Sequence, residues 1–279
     1  MTELEEKFQR LIVQIEEAGN IARAYFDSDE STNDIKVDGS VVTRVDTEIE
    51  SRLVDFVRRE FPEDSIIGEE GAGFKGTSGF EWHIDPIDGT DNFLREIPFV
   101  AISVARLGDQ SEDTFSVVHN PITKRSFFSY MENGVYENSR SHTVNKDVLG
   151  DRAVVSLATG KSHWVKTAKY NLMKEFGMRL GRGTALNCAA LELGYVAANR
   201  IDGVLILGLH TYDYAAGLYL VKAAGGTIHF FKNGEWNLYE GVIKNLCDLD
   251  CEMILASHGG MAENILNLVG NPKSWADKE

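Results

Sequence analysis

Basic charge is the first thing this chain lacks. Its 279 residues carry 28 lysines and arginines against 43 aspartates and glutamates, a formal net charge of −15, and basic side chains never stand more than two in a row, as at Arg58-Arg59. Binding to nucleic acid by phosphate neutralisation is therefore not expected. No uninterrupted apolar stretch reaches the ~18 residues that a membrane-spanning helix requires, so no contact with a membrane is expected. The first stretch, MTELEEKFQRLIVQIEE, has no basic n-region and no apolar h-region, which argues against a signal peptide. Cysteine is sparse: Cys188, Cys247 and Cys251 are the only three. An odd, low count fits reduced thiols and predicts a cytoplasmic protein. Cys247 and Cys251 have no second Cys/His pair at zinc-site spacing and read as incidental. Pro/Ser-rich linkers, internal repeats and low-complexity tracts are missing as well. With 43% hydrophobic residues, the chain can build a sizeable core. The absence of a linker predicts two tightly packed subdomains, 1–145 and 146–279.

Periodicity fills in the elements. Leu4, Phe8, Leu11, Ile15, Ala18, Ile21 and Tyr25 recur at steps of three and four and predict a first helix. A second is predicted from about Thr43 to Phe61, with Ile49, Leu53, Phe56 and Val57 on one face and Pro62 beyond it. Runs at 65–70, 81–85, 99–107, 114–120 and 125–131 then read as strands. Strands in succession predict an antiparallel sheet with helices on one side. From Ala153 strands and helices alternate: strands at 153–158, 201–207, 226–231 and 253–258, helices at 161–176, 185–198 and 214–224, and a last helix from Met261. A short strand is expected at Met178-Arg179-Leu180. The first half is thus α+β and the second α/β.

The chemistry gathers around WHIDPIDGTDNF, Trp82 to Phe93. A strand leads in, Pro86 is expected to end its ladder, and Asp85 and Asp88 then point into one space beyond the strand end. Gly89 permits close backbone approach, and Thr90 opens a short helix whose free N–H groups suit a phosphate. Acids that hold divalent cations beside an anion-binding helix start outline a phosphate-ester site. Each piece also has an ordinary reading. Asp-Gly is a common turn, and Asp is a common helix cap. The same holds for Glu69 and Glu70 at the end of an apolar strand, for Thr43 and Asp46 at a helix start, and for Asp213 at the mouth of an Ala/Gly-rich helix. The run GAGFKG (71–76) matches a dinucleotide fingerprint only in spelling, because TSGFEWH after it is not a helix. It reads as a glycine loop beside Glu69 and Glu70. His210, three residues before Asp213, is expected to meet substrate or solvent.

Together these stretches resemble the inositol monophosphatase family of Mg²⁺-dependent, lithium-sensitive phosphatases. The resemblance lies in Asp-Pro-Ile-Asp-Gly-Thr-x-x-Phe at Asp85–Phe93, in aromatic-Asp-x-Ala-Ala-Gly at Tyr212–Gly217 and in Ala-Gly-Gly at 224–226. It implies a layered αβαβα sandwich, a homodimer, a small-molecule phosphate ester as substrate and about two to three Mg²⁺ ions per site. It further implies that Glu69, Asp85 and the Ile87 carbonyl hold one metal, that Asp85, Asp88 and Asp213 hold a second, and that a weaker third sits near Glu69. Thr90, linked to Asp46, would orient and deprotonate the attacking water. The backbone amides of Gly89 and Thr90 would hold the phosphate, and Lys36 matches a family lysine near the active-site loop.

Departures concern the alcohol half of the substrate. Inositol-specific members carry a substrate-binding Glu seven residues before the second-metal Asp, where this chain has Ile206. The family's Gly-Ser/Thr-Ala is here Asn187-Cys188-Ala189, and the usual Trp is Tyr212. The expected activity is hydrolysis of a small polyol or sugar phosphate, most like that of an inositol-1-monophosphatase. Fructose-1,6-bisphosphatase, histidinol-phosphatase and 3′(2′),5′-bisphosphate nucleotidase activities are the alternatives within the class. A non-catalytic binding role is the alternative outside it.

Overall fold

The structure, a computed structural model, describes residues 2–26, 33–35, 41–110, 112–131, 133–144 and 152–275. The amphipathic stripes predicted at the start of the chain form α1 (Glu3–Phe26) and α2 (Arg44–Glu60), with Phe8, Leu11, Ile15, Ile49, Leu53 and Phe56 all turned inward. A small antiparallel ribbon, β1 (Asn33–Ile35) and β2 (Val41–Thr43), precedes α2. The next strands are β3 (Ser65–Gly68), β4 (Gly73–Phe74), β5 (Glu81–Asp88), β6 (Ala101–Leu107), β7 (Phe115–Asn120), β8 (Arg125–Tyr130), β9 (Val135–Glu137) and β10 (Arg140–His142). They build one sheet in the order β10-β9-β8-β7-β6-β5-β3-β4. All neighbours run antiparallel except β3 and β5, which are parallel. GAGFKG contributes only the edge strand β4, and β5 rather than a helix follows it.

The second half forms β11 (Ala153–Thr159), α4 (His163–Arg179), β12 (Gly181–Thr184), α5 (Ala189–Ala197), β13 (Gly203–Leu207), α6 (Thr211–Ala223), β14 (Thr227–Lys232), β15 (Glu235–Tyr239), α7 (Ile243–Cys247), β16 (Met253–Ser257) and α8 (Gly259–Val269). The short α3 (Thr90–Phe93) belongs to the first half. The second sheet runs β12-β11-β13-β16-β14-β15 and is mixed, parallel on the β12 side and antiparallel on the other. Three apolar clusters define the layers. α1 and α2 pack on one face of the first sheet, α5 and α6 fill the space between the sheets, and α4 and α8 cover the outer face of the second. The result is the expected αβαβα sandwich.

Two expectations change. The first sheet has helices on both faces, not one, because its second cover comes from α5 and α6 far along the chain. That is why every residue of β6 and β7 is buried, where a half-exposed strand would alternate. The strand expected at Met178-Arg179-Leu180 begins instead at Gly181, because α4 runs on through Arg179 and Leu180 caps it. Glycine is poor strand material, but a Cβ on Gly183 would stand 2.6 Å from the Met173 carbonyl oxygen, so only glycine lets α4 lie this close.

The middle layer is the tightest. α6 is buried all round, from Tyr214 to Val221, as a helix between two sheets must be. Gly217 sits where a Cβ would meet the Leu193 side chain of α5 at 2.4 Å. Among the described residues no helix is long and apolar enough to cross a membrane. Gly217→Val is expected to lower the unfolding free energy by about 2 kcal/mol through overpacking. A urea melt checks this, and an unchanged midpoint would show that the two helices can part without cost.

Candidate active site

β5 delivers the first two acids. Trp82 and Ile84 face α1 and α2, while His83 and Asp85 face α6, where the His83 ring nitrogen Nδ1 meets the Thr211 hydroxyl at 3.1 Å. Residues three apart on a regular strand point to opposite faces. Here the pairing passes from Asp85↔Ser103 to Asp88↔Ala101, so β5 holds one residue more than its partner between them. That extra residue is a bulge, and it returns Asp88 to the side of Asp85. Pro86 therefore does not end the ladder as expected. It sits in the bulge, where its missing N–H costs no ladder bond.

Gly89 turns the chain into α3 with φ 90°, and a Cβ there would also stand 2.8 Å from the Phe99 carbonyl oxygen. The close approach that needs glycine is thus partly made by the protein itself. Thr90 opens α3 as predicted, and its hydroxyl donates to the Ile87 carbonyl at 3.1 Å. Asn92, which carried no signal in the sequence reading, is buried, and its amide donates to the carbonyls of Phe99 at 2.9 Å and Leu186 at 2.7 Å. It ties α3 to the segment that enters α5.

Glu69 follows the end of β3. Glu50, buried on α2, holds this turn: its carboxylate accepts from the amides of Glu70 at 2.8 Å and Ala72 at 3.1 Å. Glu50 was also missed, although its signal is readable. It is an acid standing inside the apolar stripe of Leu53, Val54 and Val57. For the last acid, Asp213, the ordinary reading as the cap of α6 does not hold. His210 is the N-cap, and Asp213 lies one turn in, accepting from the His210 amide at 2.7 Å. Asp88 does the same service for α5 from the other half of the chain, where its Oδ2 accepts from the Ala190 amide at 2.6 Å. Two helix amino ends thus face the acids, and their partial positive charge offsets some of the crowding.

Glu69, Asp85, Ile87, Asp88, Gly89, Thr90, Ala189 and Asp213 line one cavity of about 900 Å³. Three expected residues stand outside its lining. Asp46 is buried in the first turn of α2, and Glu70 stands in the turn after β3, its amide held by Glu50. Ile206 is buried in the layer between the sheets, beside Ala158 and Ile254. Lys36 lies outside the described residues. His210 lines the cavity, stacked on Tyr212 with ring centroids 5.2 Å apart. A separate cavity of about 490 Å³, around Arg23, His119 and Lys124, holds none of the predicted residues.

Burial pushes the Asp85 carboxyl well above the ordinary aspartate range, and the neighbouring charges of Glu69, Asp88 and Asp213 push it further. Asp88 is raised in the same way, by burial first and then by Asp213. Asp85 Oδ1 is buried with no hydrogen-bond partner among the described residues. Crowded oxygens, one of them unpartnered, fit a hard divalent cation. Among the described residues no three His, Cys, Asp or Glu side chains close into a ready-made cage. The acids line an open cavity instead, which suits a cation that keeps waters and takes phosphate oxygens.

Fold and acid cluster together define a phosphatase scaffold. The chain belongs to the inositol monophosphatase family, whose model matches residues 4–271. It is 33% identical over 232 residues to the Nus factor SuhB of Escherichia coli, covering 81% of this chain and 85% of that protein. It is 34% identical over 199 residues to a fructose-1,6-bisphosphatase/inositol-1-monophosphatase of Thermotoga maritima, covering 71% and 75%. A solved Thermotoga maritima IMPase superposes with a TM-score of 0.80 at 25% identity, over 97% of this chain and 99% of that one. The extragenic suppressor protein suhB of Bartonella henselae shares the fold, with a TM-score of 0.79 at 22% identity over 98% and 99% of the two chains.

Glu50→Ala strips the acceptor from two amides of the turn that carries Glu69. Loss of charge-assisted hydrogen bonds of this kind costs about 2 kcal/mol, and, with Glu69 as the cation ligand that the resemblance implies, loosening its support is expected to weaken metal binding roughly 10- to 100-fold. Titration calorimetry with Mn²⁺ checks this, with Glu50→Gln falling between the two. Wild-type affinity in Glu50→Ala would mean that the turn holds its shape unaided.

Proposed function

We propose that the chain is a Mg²⁺-dependent phosphomonoesterase acting on a small polyol or sugar phosphate, in the manner of an inositol-1-monophosphatase. The observation that carries this reading is the convergence of four carboxylates, from β5, the β3 turn and α6, on one cavity at the start of α3. Glu69, Asp85, Asp88, Asp213 and the Ile87 carbonyl would hold the cations. When bound, these supply an activated water, charge neutralisation for the phosphoryl oxygens and stabilisation of the leaving alkoxide. The rest falls to the chain. Gly89 and Thr90, which line the cavity, offer backbone N–H groups to the phosphate. The Thr90 hydroxyl spends its proton on the Ile87 carbonyl, which leaves its oxygen to accept a hydrogen bond from a water. Asp46 is assigned as the positioning residue behind Thr90.

A second reading rests on the relatives named Nus factor, a role for the same fold other than hydrolysis. Retention of every expected acid favours catalysis. Metal-dependent phosphate release decides between the two.

Release of phosphate from inositol 1-phosphate is expected to require Mg²⁺, to stop with EDTA and to fall roughly a hundredfold or more in Asp88→Asn. Equal rates in mutant and wild type would remove the metal assignment. A second measurement reads the cluster without turnover. Asp85 and Asp88 titrate above the unfolded aspartate value of 3.8, so over that range the folded chain binds more protons than the unfolded one. Stability then falls as pH rises. The melting temperature in EDTA is expected to drop as pH climbs from 3.8 through the raised values, less steeply in Asp88→Asn, and Mg²⁺ at neutral pH should restore it. A melting temperature that rises with pH in EDTA would contradict the mutual repulsion.

A further inference from the structure

The cavity of about 490 Å³ lies on the face of the first sheet opposite the acids, between α1 and the paired strands β7 and β8. Its volume falls in the range of about 300–1,000 Å³ that holds small organic ligands. On α1, Ile12, Glu16, Asn20 and Arg23 follow one another at steps of four, four and three and form a single stripe. That stripe runs beside the one that packs the core. On the sheet side stand His119, Ser126 and Phe128, which share a face of β7 and β8, with Lys124 in the turn between these strands.

The polar residues are held in place by the fold. Asn138 fixes two of them: its Oδ1 accepts from the Ser126 amide at 2.9 Å, and its side-chain amide donates to the Lys124 carbonyl at 3.4 Å. Arg23 donates to the Pro121 carbonyl at 2.6 Å, which keeps the guanidinium at the same turn. Lys124 is exposed, and neither it nor Arg23 forms an ion pair among the described residues. His119 is the buried member, 4% exposed. Its ring lies against α1 at Gly19, where a Cβ would stand 2.6 Å from Nε2. Glycine inside a helix costs roughly 1 kcal/mol relative to alanine, so helix stability is given up to keep an imidazole there. Nδ1 meets the Ser126 hydroxyl at 2.8 Å, and Nε2 makes no hydrogen bond among the described residues. Buried polar atoms are normally partnered. Burial first, and the Arg23 charge second, push this imidazole down to about 4, so it is neutral at physiological pH. Arg23 and Lys124 against Glu16 leave the lining with one net positive charge, in a chain of net charge −15.

We propose that this cavity is a second binding site, for a small organic monocarboxylate with an apolar body, its carboxylate against Lys124, Arg23 and His119 and its body on Ile12 and Phe128. One positive charge matches a monoanion. A phosphate ester carries close to two negative charges at neutral pH, and the second would face Glu16. Phe128 stacks on Tyr136, with ring centroids 5.6 Å apart, and so presents a fixed apolar wall. With Nδ1 accepting from Ser126, the neutral imidazole carries its proton on Nε2 and donates it to the carboxylate. The site binds and makes no covalent bond. It lies a full sheet away from the acids and does not depend on what they do.

The probe is hydrocinnamate, followed by saturation-transfer NMR in EDTA, so that no cation among the acids attracts it. Saturable binding is expected with a Kd on the order of 1 mM. Lys124→Gln should weaken it roughly tenfold, the loss of a charge-assisted contact. Glu16→Gln should strengthen it by removing the repelling charge, and added KCl should weaken it in the wild type. Both substituted positions are exposed, and an unchanged melting temperature shows that the variants are folded. Hydrocinnamyl alcohol and hydrocinnamyl phosphate, which keep the body and change the head, should both bind more weakly than hydrocinnamate. No saturable binding, equal affinity in Lys124→Gln, or tighter binding of the phosphate would overturn the proposal. Because every titration is run without metal, the outcome stands whether or not the acid cluster hydrolyses esters.

Discussion

The hydrogen bond from the Ala190 amide to Asp88 Oδ2, 2.6 Å long, is the contact on which the rest of the molecule turns. Asp88 ends an inner strand of the first sheet, and Ala190 lies in the first turn of a helix of the middle layer. The bond therefore joins the two halves of the chain where the cavity opens. Asn92 reinforces the seam through the Leu186 carbonyl, and the Cys188 thiol adds a weaker contact to the Asp88 carbonyl at 3.4 Å. A helix amino end normally finds its acceptor within its own segment. Here α5 finds one about a hundred residues upstream, on a side chain assigned to cation binding. Fold and function draw on one carboxylate.

That economy carries an electrostatic cost. Burial alone raises Asp85 and Asp88, and each further acid adds to the repulsion. A chain selected only for stability would replace one of these acids by an amide. Its retention makes sense if a cation settles among them, since strain at a functional site persists only when the surrounding structure over-determines it. The surroundings do so. The β5 bulge fixes Asp85 and Asp88 on one side, Glu50 fixes the turn of Glu69, and the α6 cap fixes Asp213. Every acid is anchored through backbone bonds that do not depend on a ligand, so the site can be prepared before metal or substrate arrives.

Much of this was readable in the order of residues, and the failures have physical causes. Asp85, Asp88, Gly89 and Thr90 are legible together because one local event, a bulge followed by a left-handed glycine, sets them all. Asp213 is distant in sequence, and only resemblance linked it to the others, since its local signal is that of any helix-start acid. The second helical cover of the first sheet was invisible because periodicity reports that a face is apolar, not which remote helix will cover it. Ile206 illustrates the same limit from the other side. Counting back from Asp213 located the position, but along β13 Val204 and Ile206 face the middle layer while Leu205 and Leu207 face α4 and α8. Glu50 and Asn92 were missed through attention to acids at element ends. Both are polar residues in otherwise apolar surroundings, and buried polar groups are placed to satisfy specific partners.

The anatomy also separates two tasks that an ester hydrolase must perform. The acids and the start of α3 are woven into the core by backbone contacts, and altering them disturbs the seam. The wall formed by α4 is different. Lys161 and Lys166 lie on its exposed side, while Val165, Ala168, Leu172 and Phe176 do the packing beneath. Those two lysines of the cavity wall can therefore change without touching either the acids or the core. In this chain the variable wall is cationic inside a molecule of net charge −15, so its sign is a local feature rather than a reflection of overall composition.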